Sequence, residues 1–205
     1  MAALRQPGGL GVLGGTFDPI HHGHLVAAQE AWWQLSLEKV LFVPAGLPPH
    51  KRGRRVSDAA HRLRMVELAI AGKPHFAVSR VDLERHGPSF TLDTLLLLRK
   101  EVGPEETLYF IEGADSLADI LQWHRPQGIL ELCELAVVRR PGVTIDLAKL
   151  EARLPGLASK VHWVEMPWLD ISSSDIRSRV KQGRPITYLV PDSVEAYVSE
   201  LALYR

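Results

Sequence analysis

The sequence predicts an open α/β sheet of Rossmann type, a parallel sheet with helices on both faces and a small helical extension at the carboxyl end. Apolar strand-like runs alternate with helix-like runs along the chain, and Gly or Pro closely follows most of the strand-like runs. No repeat, low-complexity tract or long linker interrupts this alternation. We therefore expect a single domain over residues 1–205, with the helical extension at about 170–205.

Six short apolar runs are predicted to form the strands. Each has the length of a strand, and Gly14, Pro44, Gly113 and Pro141 follow four of them at points where the chain can turn. In chain order the predicted strands are Leu10–Leu13, Val40–Val43, Phe76–Val78, Leu108–Ile111, Leu135–Val138 and Val161–Val164.

The segments between these strands carry apolar residues at spacings of three and four, which is typical of helices that pack on a sheet. The first such series is Leu25, Ala28, Trp32 and Leu35, which follows the first strand and its glycine-rich loop. The remaining predicted helices cover about Ala59–Ala71, Leu92–Leu98, about Ser173–Lys181 and a last segment that starts near Asp192.

Composition limits the classes of function. The 24 Lys and Arg residues balance the 24 Asp and Glu residues, so no broad basic surface for nucleic acid is expected. The single Cys133 cannot form an internal disulfide, and no apolar run is long enough to span a bilayer. We expect a cytoplasmic protein with no membrane or nucleic-acid partner, and a homo-oligomer is compatible with the sequence.

The loop after the first predicted strand, GGTFDPIHHGHL at 14–25, is the most informative segment. Gly14 and Gly15 let a ligand approach the backbone closely. The helix start that follows offers unpaired N–H groups and a partial positive charge, which favour phosphate. His21 and His24 share one face if they are helical, and both rings can donate hydrogen bonds to a phosphate chain. This loop is therefore predicted to bind phosphate.

Other interpretations of this region are weaker. The histidines could be exposed side chains of a tight turn, or part of a zinc site. No Cys lies nearby and no HExxH pattern is present, so we expect no protein metal site. Gly9, Gly11 and Gly14 match GxGxxG, but a dinucleotide-binding fingerprint follows a strand, whereas these glycines precede it and run through it.

Residues 171–177, ISSSDIR, predict a second anion-binding helix start. Ser172 can cap this helix, and Asp175 three residues later resembles a capping box. Arg177 falls near the start of the helix, where the dipole disfavours a cation unless an anion lies at the helix tip. We expect Arg177 and free N–H groups to clamp a phosphate. The alternative is an ordinary capped helix with solvated arginines.

Lys51 lies in a basic, proline-rich loop at 45–56. We predict that Lys51 is a mobile third contact to a polyphosphate. The alternative is a solvated basic loop, which is the better interpretation of Arg54 and Arg55.

With these residues identified, the chain resembles the bacterial nicotinate-mononucleotide adenylyltransferases of the HxGH nucleotidyltransferase superfamily. The HxGH pattern alone would indicate only a nucleotidyltransferase, whereas an ordered series across almost the whole chain is typical of this family. The series is GGTFDPIHHGHL at 14–25, PAGLPPHK at 44–51, HRLRMVELAI at 61–70, GPSFTLDTL at 87–95, FIEGADSL at 110–117, WHRP at 123–126, VVRRPG at 137–142, ISSSDIR at 171–177 and YLVPDSV at 188–194.

The resemblance implies an enzyme of NAD biosynthesis that transfers the adenylyl group of ATP to nicotinate mononucleotide, giving nicotinate adenine dinucleotide and pyrophosphate. The acceptor phosphate is already an anion, so its attack on the α-phosphorus needs no protein nucleophile or general base. Positioning and charge neutralisation then supply the catalysis. Mg²⁺ is expected to be held mainly by the ATP phosphates.

The resemblance also implies roles for individual residues. The implied catalytic contacts to the ATP phosphates are His21, His24, Lys51 and Arg177. The other implied ATP-binding residues are Gly14, Gly15, Thr16, Phe17, Gly113, Asp115, Ser173 and Ser174. Thr91 and Trp123 would form the acceptor pocket, with Trp123 stacked on the pyridine ring. A helix cap at Thr91 and a packing role for Trp123 are the alternatives.

Two positions depart from the family pattern. Ser174 stands where Thr is usual and keeps a hydroxyl, whereas Phe90 stands where Tyr is usual and lacks one. Different acceptors, such as nicotinamide mononucleotide or phosphopantetheine, are the closest alternative function. A non-catalytic nucleotide-binding regulator and a metal-binding protein are alternatives of other classes.

Overall fold

The computed structural model describes residues 8–48, 56–139, 142 and 144–205. Six strands form one sheet in the order β3-β2-β1-β4-β5-β6, and every neighbouring pair is parallel. The strands are β1 Leu10–Gly15, β2 Lys39–Pro44, β3 Phe76–Val78, β4 Leu108–Gly113, β5 Glu134–Val138 and β6 Val161–Val164.

The three central strands begin level with one another, because Leu10 of β1 pairs with Lys39 of β2 and with Leu108 of β4. All three have six residues, so their carboxyl ends also meet at one edge of the sheet. The loops that follow them are thereby brought together.

Helices connect the strands and cover both faces of the sheet. In chain order they are α1 His22–Gln34, α2 Ala59–Ile70, α3 Val81–Glu84, α4 Thr91–Val102, α5 Ala114–Ala118, a 3-10 helix Ile120–Gln122, α6 Pro126–Leu132, α7 Leu147–Glu151, α8 Leu157–Lys160, α9 Ser173–Lys181 and α10 Asp192–Glu200.

Two apolar cores lie on the two faces, since successive strand residues point to opposite sides. Leu13 of β1 belongs to the core with α1, α2, α9 and α10, whereas its neighbour Val12 belongs to the core with α4–α8. Buried helix residues of the first core include Ala28, Met65, Ile176 and Val198. Those of the second include Leu95, Leu117, Ile129 and Leu157.

The predicted fold class is confirmed, and each of the six predicted strands overlaps an observed one. Helices α3 and α5–α8 were not predicted; each has only four to seven residues, too few to show a helical period. The C-terminal helices α9 and α10 share the first core with the sheet. In the part of the chain that the structure describes, no helix is long and apolar enough to cross a membrane.

Candidate active site

A cavity of about 540 Å³ lies at the carboxyl ends of β1 and β4. These strands are neighbours, although β2 and β3 follow β1 in the chain and lie on its other side. The chain connections diverge at this point, which is where open α/β sheets bind ligands. Gly14 and Gly15 line the cavity from β1, and Glu112 and Gly113 line it from β4.

Phe17 shapes the loop after β1. Its φ of 51° lies in a region that non-glycine residues rarely adopt, and its side chain is only 1% exposed. The ring packs against Gly15, where an added Cβ would lie 2.9 Å from Phe17 Cζ. The ring also packs edge-on against His24, at 5.1 Å between centroids. The Phe17 side chain therefore packs beneath the loop in the protein interior and does not line the cavity.

His21 and His24 lie at the start of α1, line the cavity and stack on each other with ring centroids 3.8 Å apart. The backbone N–H of His21 donates to Nδ1 of His24 at 3.3 Å. Nδ1 is therefore the acceptor, and a neutral His24 ring carries its proton on Nε2. That tautomer can donate a hydrogen bond to phosphate. Gly23 leaves room for this arrangement, since a Cβ there would lie 3.0 Å from His21 Nδ1.

The start of α9 is attached to the loop after β1. Ser172 caps the helix by accepting from the Asp175 N–H at 3.1 Å, as predicted. The hydroxyl of Ser173 donates to the carbonyl of Pro19 at 2.8 Å. Nη1 of Arg177 donates to the carbonyl of Asp18 at 2.7 Å. The two predicted phosphate-binding loops are thus brought together.

Two details of this helix refine the prediction. Nη2 of Arg177 donates to the Ser174 hydroxyl at 3.2 Å, so the guanidinium is fixed on the loop side of α9. The Asp175 carboxylate accepts from Nε of Arg179 at 2.6 Å, and this ion pair neutralises the second arginine of the helix start.

The opposite half of the cavity is built around aromatic rings. Trp123 follows the 3-10 helix and packs edge-on against Phe110 of β4, at 5.8 Å between centroids. Phe90 stacks on His124 at 4.5 Å, so the ring that lacks the usual hydroxyl still forms part of the wall. Thr91 is the first residue of α4 and also lines the cavity. Thr91 is therefore not the cap of this helix, which is Phe90.

The comparisons with known proteins agree with this architecture. The family model described as cytidylyltransferase-like matches residues 12–179. The probable nicotinate-nucleotide adenylyltransferase of Thermomicrobium roseum is 51% identical over 196 residues, which are 96% of this chain and 91% of that protein. That of Moorella thermoacetica is 47% identical over 209 residues, covering 100% of this chain and 95% of the relative.

The chain belongs to the nicotinate-nucleotide adenylyltransferases, within the cytidylyltransferase-like family. Among solved structures, the nicotinic acid mononucleotide adenylyltransferase of Plasmodium falciparum complexed with NaAD has a TM-score of 0.74 at 23% identity. The match covers 95% of this chain and 96% of that one, and at this identity it supports the fold alone.

The structure gathers most of the residues that the adenylyltransferase resemblance singled out. Those that line the cavity are Gly14, Gly15, Thr16, His21, His24, Thr91, Gly113, Asp115 and Trp123. Ser173, Ser174 and Arg177 lie beside it, just after Ile171 and Ser172, which line it. Lys51 lies outside the described residues, and its role stays a prediction.

Asp18 is a residue of this adenylyltransferase site to which the sequence analysis gave no role. Its side chain is 2% exposed and accepts from the Ser57 N–H at 3.2 Å and from the Tyr204 hydroxyl at 2.9 Å. Burial raises the pKa of Tyr204, so its hydroxyl stays protonated and donates. Because the Asp18 carbonyl also accepts from Arg177, this one residue joins the loop, the segment before α2, α9 and the C-terminus.

Arg62 of the adenylyltransferase motif HRLRMVELAI is the second such residue. It is 1% exposed, and burial lowers its pKa from the ordinary value. Its guanidinium donates to the carbonyls of Thr16 at 2.9 Å and of Ala45 at 2.7 Å, two residues that line the cavity. It also donates to the carbonyls of Gly46 and Ser57. Arg62 therefore fixes the loops after β1 and β2 relative to each other.

The acidic and histidine side chains of this adenylyltransferase do not form a metal site in the part of the chain that the structure describes. Over residues 8–48, 56–139, 142 and 144–205, no group of three or more His, Cys, Asp and Glu side chains is arranged to hold a metal ion. The buried carboxylate of Asp82 lines the cavity but accepts from Thr94 at 2.9 Å and from Arg85 at 2.9 Å. Its oxygens therefore already have partners within the protein.

Proposed function

We propose that this chain transfers the adenylyl group of ATP to nicotinate mononucleotide and releases pyrophosphate. The observation that carries the proposal is that one cavity is lined both by the loop of His21 and His24 and by the aromatic wall of Trp123. A phosphate-binding half and a ring-binding half then face each other across the carboxyl ends of β1 and β4. Transfer between two nucleotides requires that both are held in one site with their reacting atoms aligned.

The phosphate half supports direct transfer. Nε2 of His24 can donate to a phosphate oxygen, and the first turns of α1 and α9 offer N–H groups with a partial positive charge. The described residues use two N–H groups of Arg177, and a guanidinium has five in all. These groups stabilise charge as the acceptor phosphate oxygen bonds to the α-phosphorus and the bond to pyrophosphate breaks. Mg²⁺ would enter as part of the substrate MgATP.

The ring half supports the acid form of the acceptor. Trp123 presents an aromatic ring, and the first turn of α4 begins at Thr91 with N–H groups that have no partner within the helix. A helix start favours a carboxylate over a neutral amide because of its partial positive charge. We therefore propose nicotinate mononucleotide, not its amide, as the preferred acceptor.

The test measures pyrophosphate release and dinucleotide formation by the purified protein with MgATP and either mononucleotide. Strong preference for the acid form supports both the reaction and the acceptor. Preference for the amide would overturn the assignment around Thr91, while absence of product with both would overturn the proposed function. The matched variants are His24→Ala and His22→Ala, since His22 belongs to the same motif but does not line the cavity.

We further propose a cytoplasmic location and allow for a homo-oligomer. The single buried Cys133 supports the location, because a protein of the oxidising compartments more often carries paired cysteines. Light scattering on the purified protein measures the oligomeric state directly.

A further inference from the structure

Glu112 is a polar residue of the cavity to which the proposed reaction assigns no role. It is the fifth residue of β4, lines the cavity and is only 6% exposed. Neither of its carboxyl oxygens has a hydrogen-bond partner among the described residues. Buried polar groups are normally paired, because an unpaired one costs stability. A ligand that enters the cavity can supply the missing partners.

The strand geometry directs Glu112 toward the ring half of the cavity. Side chains two apart on a strand share a face, so Glu112 lies on the same face of β4 as Phe110. Phe110 packs against Trp123, the residue proposed to hold the pyridine ring. On the neighbouring strand β5, the residue in register with Glu112 is the apolar Val137.

The groups around Glu112 favour its neutral, protonated form. Burial, and then the nearby Asp115 of α5, raise the pKa of Glu112 to about 8. The Cys133 thiol, just after α6, also interacts with it, and His124 lines the same half of the cavity. No ion pair joins Glu112 to a cation among the described residues.

The chemistry of the two unpaired oxygens selects among the groups of the substrates. Phosphates and the nicotinate carboxylate carry no donor at neutral pH, so each could accept one hydrogen bond from a neutral Glu112 but would leave its other oxygen unpaired. The adenine amine would leave one oxygen unpaired, because its two hydrogens point apart. A vicinal ribose diol supplies two adjacent hydroxyl groups, one for each oxygen of Glu112. Acidic residues of other nucleotide-binding sites also form hydrogen bonds with ribose hydroxyls.

We propose that Glu112 binds the ribose diol of the acceptor mononucleotide. This inference rests on the proposed function, which supplies the identity of the substrate. The acceptor is chosen over ATP because Glu112 lies on the same side of β4 as Phe110, which packs against Trp123. Hydrogen bonds donated to a carboxylate favour its charged form. Acceptor binding near neutral pH therefore releases a proton from Glu112.

The first test compares Glu112→Gln with the wild-type enzyme. The amide keeps the size of the side chain but cannot carry the negative charge that two hydroxyl donors favour, so the KM for the acceptor rises about 10-fold or more, the scale of a lost hydrogen bond to a charged group. The KM for ATP stays within about 2-fold. The matched control is Glu134→Gln, because Glu134 lies on β5, pairs with Lys160 and His162, and does not line the cavity. An unchanged acceptor KM in Glu112→Gln would overturn the proposal, and a rise confined to ATP would overturn the choice of nucleotide.

The second test needs no variant and so does not depend on how Glu112→Gln folds. Nicotinate mononucleotide lacking the 2′- or 3′-hydroxyl binds the wild-type enzyme about 10-fold more weakly than the parent compound, on the same scale. Calorimetry in two buffers of different ionisation enthalpy detects proton release with the parent acceptor and less with the analogues. Equal affinities, or proton uptake, would refute the ribose contact. If the wild-type enzyme makes no product from nicotinate mononucleotide, it is the proposed function that fails.

Discussion

Replacing Arg62 by Met separates a role in holding the cavity loops from a role in helix packing. Met matches the stem of Arg as far as the position of Nε, but it removes every donor of the guanidinium. Four backbone carbonyls lose their partner, those of Thr16, Ala45, Gly46 and Ser57. The substitution leaves the apolar positions of α2 unchanged.

The magnitude follows from these bonds. A net hydrogen bond to a charged donor contributes about 1.5–3 kcal/mol, but relief from burying the guanidinium offsets part of the sum. We expect the free energy of unfolding to fall by about 3–5 kcal/mol, the scale for breaking one side of a buried charged network. For a chain of this length, that corresponds to a fall in Tm of roughly 6–20 °C. Loop displacement should also lower kcat/KM for ATP by about 10-fold or more, since a shift of about 1 Å can cost about 100-fold.

The assay combines thermal unfolding with kinetics measured well below the Tm of both proteins. Arg64→Met is the matched control, because Arg64 lies two residues further on the same helix, is exposed and forms a surface ion pair with Glu67. Its effect should stay within about 0.5 kcal/mol. If Arg62→Met kept the wild-type Tm and ATP kinetics, the inference that Arg62 fixes the two loops would be wrong.

His24, Trp123 and Glu112 each carry a different property of the site that a single substitution tests. His24→Ala lowers kcat by about 100-fold or more, as expected for a lost charge-stabilising donor, whereas His22→Ala changes it less than about 3-fold; similar losses in both would contradict the role of His24 Nε2. Trp123→Ala raises the acceptor KM and leaves the ATP KM nearly unchanged in steady-state kinetics, and the reverse pattern would place the pyridine ring elsewhere. Glu112→Met stabilises the protein in the absence of substrates. Because the pKa of Glu112 is raised from 4.5 to about 8 in the folded protein, the wild type loses stability as the pH rises through that window, so the Tm difference between variant and wild type should widen there. A Tm difference that is constant with pH would contradict the raised pKa.

The strands could be predicted because their signal is local. An apolar run such as Val40–Val43 followed by Pro44 specifies a buried strand and its end without reference to the rest of the chain. Helix α5 could not be predicted in the same way, since its five residues form less than two helical turns. Its position is set by burial of Ala114 and Leu117 in the second core, which is a property of the folded sheet.

The candidate site shows the same division. His21 and His24 were predicted because both lie in one continuous motif whose spacing already places them together. The role of Arg62 could not be predicted, since its partner Thr16 lies 46 residues away in the sequence. One signal was available: Met65 and Val66 are three and four residues after Arg62, so the helical period places Arg62 on the apolar face of α2.

Asp18 connects three segments that are far apart in the sequence. Its carbonyl holds Arg177, while its carboxylate holds the N–H of Ser57 and the hydroxyl of Tyr204. Ser57 directly precedes Asp58, the cap of α2, so the start of α2 and Arg177 are held by the same residue. If the Asp18 carboxylate lost either partner, one of its buried oxygens would be unpaired. That would cost about 1–3 kcal/mol of stability, which is enough to favour a different position of the loop. Tyr204 is therefore connected through Asp18 to Arg177, the predicted phosphate contact, although it lies far from the first loop in the sequence.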